Sequence, residues 1–150
     1  MEQDAVEPRR DLGLLLLRLG LGLMFVVVHG GPKLLGGPER WSQVGLAMGS
    51  LGITAFPAFW GFLAAVSECI GGLCLVLGLF TRPAAFFMAM TMVVAATMHL
   101  TRGDGLPVAS HAIEDGLVFF SLILIGAGRY RLGRVLPSST TQPHYTLPSR

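Results

Sequence analysis

Charge is what this 150-residue chain has least of: Asp, Glu, Lys and Arg together make up 13% of it, against about 25% in ordinary soluble domains. The formal net charge of +2 is small and scattered. Without a basic stripe, nucleic acid is excluded as a partner. Cysteine is nearly absent too. Cys69 and Cys74 fall on one predicted helix, about 140° apart around its axis and about 7.5 Å along it, more than the roughly 7 Å between Cα atoms that a disulfide tolerates. They do not form a C-x-x-C motif, and read as small core residues. No A-x-A cleavage signal follows the first apolar run, Leu12 to Val28, which is also longer than a signal-peptide core. Despite Arg9 and Arg10 before it, that run is expected to be a retained helix.

Apolar residues are what the chain has instead, at 52% of the total. A soluble fold this small could not hide so much apolar surface, so part of its solvent must be lipid. The pattern predicts an all-α, integral membrane four-helix bundle. Its spans are expected at about residues 12–31, 58–80, 83–100 and 111–128, each long enough for a hydrocarbon core of about 30 Å. His29-Gly30-Gly31-Pro32-Lys33 reads as a stop signal after the first span, and Pro83 as a first-turn proline opening the third.

Residues 34–57 are rich in Gly and Pro and read as a loop. Within it Trp41, Val44, Met48 and Leu51 recur at helical spacing, which predicts a short interfacial helix anchored by Trp41. Residues 101–110 read as a polar loop. The domain organisation is an N-terminal segment at 1–11, a four-helix domain at 12–132 and a disordered, Ser/Thr/Pro-rich tail at 133–150. Basic residues set the orientation. Arg9, Arg10, Arg82, Arg129, Arg131 and Arg134 fall on one side, and Lys33, Arg40 and Arg102 on the other. Both termini are therefore expected in the cytoplasm, with loops 32–57 and 101–110 outside.

Ionisable groups inside spans are costly, about 2.5–3.5 kcal/mol each on insertion scales, and usually have a partner. Here they are Arg18, His29, Lys33, Glu68, His99, His111, Glu114 and Asp115. Arg18, His29 and Lys33 share one face of helix 1, and His111, Glu114 and Asp115 are neighbours on helix 4. All but Arg18 and Glu68 are expected near the outer helix ends, with Glu68 near mid-membrane below them. The expectation is a polar pocket near the outer face. Arg18 either snorkels to the cytoplasmic headgroups or turns inward, where its natural partner is Glu68.

Several segments together resemble the DoxX family of small bacterial four-helix membrane proteins. They are Leu17-Arg18-Leu19, His29-Gly30-Gly31-Pro32-Lys33-Leu34, Glu68-Cys69-Ile70-Gly71-Gly72, Leu77-Gly78-Leu79-Phe80-Thr81-Arg82, His99 closing helix 3, Glu114 opening helix 4 and Gly126-Ala127-Gly128-Arg129-Tyr130. The similarity runs over roughly residues 12–132. It implies a multi-pass protein of the bacterial inner membrane, linked to quinone reduction or to oxidative and thiol stress. It also implies recurrent polar positions at Arg18, His29, Lys33, Glu68, His99 and Glu114. The absent thiol pair weakens direct thiol exchange and leaves quinone binding or partner docking.

Three functions follow. In the first, a quinone-linked redox subunit, Arg18, His29 and Lys33 contribute to the quinone site while Glu68, His99 and Glu114 move protons. A partner protein must then supply electrons or substrate, because no haem, flavin or iron–sulfur motif is present. The second is a metal site drawn from His29, His99, His111 and Glu114 or Asp115. The third is a non-enzymatic scaffold or small-molecule carrier. Self-association into a homo-oligomer is compatible with all three.

Overall fold

A computed structural model describes residues 2–132; the expected tail at 133–150 lies outside the described residues. Helix α1 (Glu2–Met24) does not stop at the Gly-Gly-Pro segment. It widens into a π-helical stretch, Phe25–Gly30, and continues as the short α2 (Gly31–Leu35). The widening has a local cause. A proline ring needs room against the carbonyl four residues back, and here Gly31 N–H reaches five residues back to the Val26 carbonyl. The chain passes Pro32 in a relaxed turn and keeps its direction.

Next come α3 (Gly37–Gly45), a 3-10 segment at Leu46–Leu51, α4 (Pro57–Leu77), α5 (Thr81–Arg102) and α6 (Leu106–Ile125). Prolines sit in the first turns of α4 and α6, where a missing N–H leaves no bond unmade. Pro107 thus starts α6 earlier than its polar flank predicts, shrinking the expected 101–110 loop to Gly103–Gly105. Helix α4 ends at Gly78, in the left-handed conformation at φ 68°, a backbone state that favours glycine.

Among the described residues, four helical stretches are long and apolar enough to cross a membrane: Pro8–Leu35 with 28 residues, Pro57–Leu77 with 21, Thr81–Arg102 with 22 and Leu106–Ile125 with 20. Large apolar side chains face outward along them, including Leu16, Leu117 and Leu124. Such a surface is suited to lipid contact.

Inside, Leu75, Ala85, Met88, Ala89, Phe119 and Leu122 are fully buried. Phe25 closes the ring of helices by meeting Phe119 edge-on at 5.0 Å. The helices α4, α5 and α6 pack on one another in chain order.

The α1–α3 run lies antiparallel to α4 and touches it through glycine. A Cβ on Gly22 would meet the Gly72 carbonyl, one on Gly30 the Cys69 backbone, one on Gly61 the Trp41 carbonyl and one on Gly45 the Pro57 carbonyl. Residues 37–45 are therefore a packed helix covering the first half of α4. Trp41 is used within this packing: its indole N–H donates to the Lys33 carbonyl at 2.9 Å and its ring meets Phe62 at 4.8 Å.

Candidate functional site

Because the helix runs past Pro32 to Leu35, Lys33, in its last turn, is set beside the middle of α4. There Glu68 lies eleven residues from Pro57 and nine from Leu77. Lys33 Nζ is 2.6 Å from both Glu68 oxygens. The close Gly30–Cys69 approach holds the two backbones near enough for a direct bond. Isolated charges at this depth would each be expensive, whereas a hydrogen-bonded pair compensates both. The pair is lopsided: the Glu68 side chain is 1% exposed and that of Lys33 24%. The carboxylate is sealed in, and the ammonium carries the polarity outward.

It carries it into a groove of about 1030 Å³ between α3–α4 and α5. Lys33, Glu68, Ser67, Thr91 and His99 supply polar lining, and Trp60, Met48, Gly71 and Phe87 apolar lining. Thr91 Oγ1 donates to Ser67 Oγ at 3.3 Å, bridging α5 to α4 one residue from Glu68. His99 lies eight residues beyond Thr91, about 12 Å farther along α5. Its Nδ1 is 2.7 Å from Asp104 Oδ2 in the next loop. It marks the groove's end, with Arg40 and Arg102 also in the lining.

The remaining residues of the expected pocket go elsewhere. His29 is on the π-helical stretch with its ring 4.9 Å from that of Phe25. It lies within electrostatic reach of Asp115, as do His111 and Glu114. The sequence-predicted constellation thus splits in two: Lys33, Glu68 and His99 share the groove, while His29 and Glu114 gather around Asp115. Among the described residues, no three of His, Cys, Asp and Glu form a group able to hold a metal ion. The ligand set His29, His99, His111 and Glu114 or Asp115 does not come together.

Arg18 neither snorkels nor reaches Glu68. Its side chain is fully buried. Nη1 donates to the Leu75 carbonyl at 3.0 Å and Nη2 to the Tyr130 carbonyl, while Nε has no partner among the described residues. Leu75 is seven residues past Glu68, about 10 Å along α4. Arg18 therefore ties α1 to the end of α4 and to the segment after α6. Asp11, which sequence reasoning missed, does related work: it is 5% exposed and accepts the Arg129 backbone N–H at 3.1 Å. Its signal was its place one residue before the apolar run, where a solvated carboxylate is the commoner outcome.

These features define a multi-pass, all-helical membrane protein with a buried ion pair beside a lateral groove. The DoxX family model matches residues 13–100, and the chain belongs to that family. A protein of Haemophilus influenzae described as uncharacterized is 32% identical over 129 residues, covering 82% of this chain and 90% of its own. No solved structure matches.

Proposed function

We propose that this protein is the membrane subunit of a quinone-linked redox system, binding the quinone head group in the α3–α4–α5 groove. The observation that carries this is the Lys33–Glu68 pair. The pair itself is neutral and still offers a hydrogen-bond donor, in a groove whose walls are mostly apolar although Arg40 and Arg102 also line it. That suits a neutral, carbonyl-bearing, lipid-soluble molecule. A quinone would supply the electron-accepting chemistry when bound. Lys33 would donate to a carbonyl oxygen, Glu68 would hold Lys33 in place, and His99 would exchange protons with water at the groove's end. The electron donor is a partner protein. In this reading both termini are cytoplasmic, α3 and the 3-10 segment stand on the outer side, and the membrane is the bacterial inner membrane.

Tryptophan emission tests the reading, because Trp60 lines the groove and Trp41 packs next to it. Titrating a short-chain quinone into the protein in lipid nanodiscs should quench that emission saturably, and Lys33→Gln should abolish saturation. Quenching that rises linearly with quinone and is indifferent to Lys33 would remove the proposal. A carrier for an apolar carbonyl compound is the second reading, favoured by the outward-facing flanks of the groove at Phe87 and Leu63. Saturable binding without any partner-dependent quinone reduction would select it.

A further inference from the structure

The opposite end of the bundle carries a second recess with different chemistry. It measures about 1380 Å³, where the α4–α5 turn and the segment after α6 meet residues 10–15 of α1. We propose that it binds a phosphate group, presented either by an anionic phospholipid or by a small phosphate compound in water.

Arg82, Arg129 and Arg131 all line the recess, and none of them forms an ion pair among the described residues. The carboxylate in the lining, Asp11, already accepts the Arg129 backbone N–H. Arg82 uses one N–H on the Leu124 carbonyl at 3.3 Å, and the rest of its fork has no partner among the described residues. Gly78 forms part of the wall, and a Cβ there would run into the Arg18 guanidinium. A further positive charge therefore stands directly behind the lining. Guanidinium forks match phosphate oxygens in both geometry and charge.

The independent observation is Thr81. It lines the same recess, is 5% exposed, and its hydroxyl has no hydrogen-bond partner among the described residues. Buried hydroxyls in folded proteins are nearly always bonded. Thr81 also opens α5, a 22-residue helix whose N-cap, Phe80, makes no side-chain cap bond. Two N–H groups at that start are unbonded among the described residues, those of Thr81 and Arg82, because Pro83 has none and the Ala84 N–H bonds the Phe80 carbonyl; both residues line the recess at the positive end of the helix dipole. A phosphate would satisfy the orphan hydroxyl, the amides and the arginines together. Arginines that merely face headgroups would leave Thr81 unexplained.

The test is thermal unfolding of the full-length protein in neutral detergent, with added phosphatidylglycerol, phosphatidylcholine or inorganic phosphate. Phosphatidylglycerol should raise the midpoint saturably and phosphatidylcholine should not. Half-saturation should shift roughly tenfold or more in Arg82→Gln/Arg131→Gln, as expected for losing a charge-assisted bond. Equal stabilisation by inorganic phosphate assigns the site to a soluble phosphate compound instead of a lipid.

Thr81→Val keeps the proposal decidable if the arginine variant does not fold. Without phosphate it should melt at or above the wild-type temperature, because it removes an unsatisfied group. With phosphatidylglycerol it should gain less than wild type. No stabilisation by any phosphate, or full stabilisation retained in Thr81→Val, overturns the proposal.

Discussion

Lys33 and Glu68 are 35 positions apart in sequence, yet Nζ sits equidistant, at 2.6 Å, from both carboxylate oxygens. Removing either partner strands the other charge inside the bundle, which costs about 3–5 kcal/mol in buried pairs. Glu68→Gln and Lys33→Met should each lower stability toward that range, with Glu68→Gln at the lower end because the lysine it strands is partly exposed, whereas Lys33→Met strands a sealed carboxylate. The double variant Lys33→Met/Glu68→Gln should recover part of the loss. Unfolding of the four proteins in one detergent gives the coupling, and additive losses would show that the pair is not an energetic unit.

Glycine substitutions should divide sharply by position. A Cβ on Gly61 would collide with the Trp41 carbonyl, so Gly61→Ala should separate α3 from α4 and destabilise by several kcal/mol, at about the level of a severe overpacking change. Gly13 and Gly20 have open space where a Cβ would go. Alanine there should be neutral or add up to about 1 kcal/mol through helix propensity. Melting temperatures of Gly61→Ala, Gly13→Ala and Gly20→Ala check this, and a tolerated Gly61→Ala would mean that α3 packs more loosely than described.

Arg18→Lys should behave as a disruptive change. A single ammonium cannot reach both the Leu75 and the Tyr130 carbonyls as the guanidinium fork does. Leaving one buried acceptor unmet costs about 1–3 kcal/mol. Limited proteolysis after Tyr130 should accelerate in this variant, since its second carbonyl tether is lost. Unchanged cleavage would show that Asp11 holds the segment alone.

The His99–Asp104 contact predicts the reverse. Both side chains are about a third exposed, and such pairs contribute about 0–1 kcal/mol. His99→Ala should leave the melting temperature nearly unchanged while altering quinone affinity or its pH dependence in the tryptophan titration. A large stability loss would make His99 structural instead of functional.

Single-site labelling settles the orientation proposal. Cysteines introduced at Gly103 and at Leu132, in a chain with Cys69 and Cys74 replaced by Ala, should react with an impermeant maleimide from opposite sides of the membrane, Gly103 from outside. The reversed pattern would place the quinone groove's His99 end in the cytoplasm.

The spans were legible because long, predominantly apolar runs are stable in one environment, and all four are present as helices among the described residues. What the sequence hid was how the helices face one another. Spacing within a helix correctly grouped His111, Glu114 and Asp115, but nothing in one chain encodes the rotation of α1 against α5. His29 and His99 therefore looked like partners and are not. The Gly-Gly-Pro segment was misleading for a related reason. The same residues that end helices in water also let two helices touch, and Gly30 and Gly61 serve the second purpose. Reading them as a stop signal moved Lys33 to the membrane edge, where Glu68 was out of its reach. Arg18 was then the remaining candidate for pairing.

A ligand that reaches Lys33 through the outward-facing flanks of the groove approaches sideways, dissolved among acyl chains. Its effective concentration is then set by partitioning: a molecule scarce in the aqueous phase can still crowd the opening. Apparent dissociation constants should consequently scale with the amount of lipid or detergent present, and only values expressed per mole of lipid will agree between preparations.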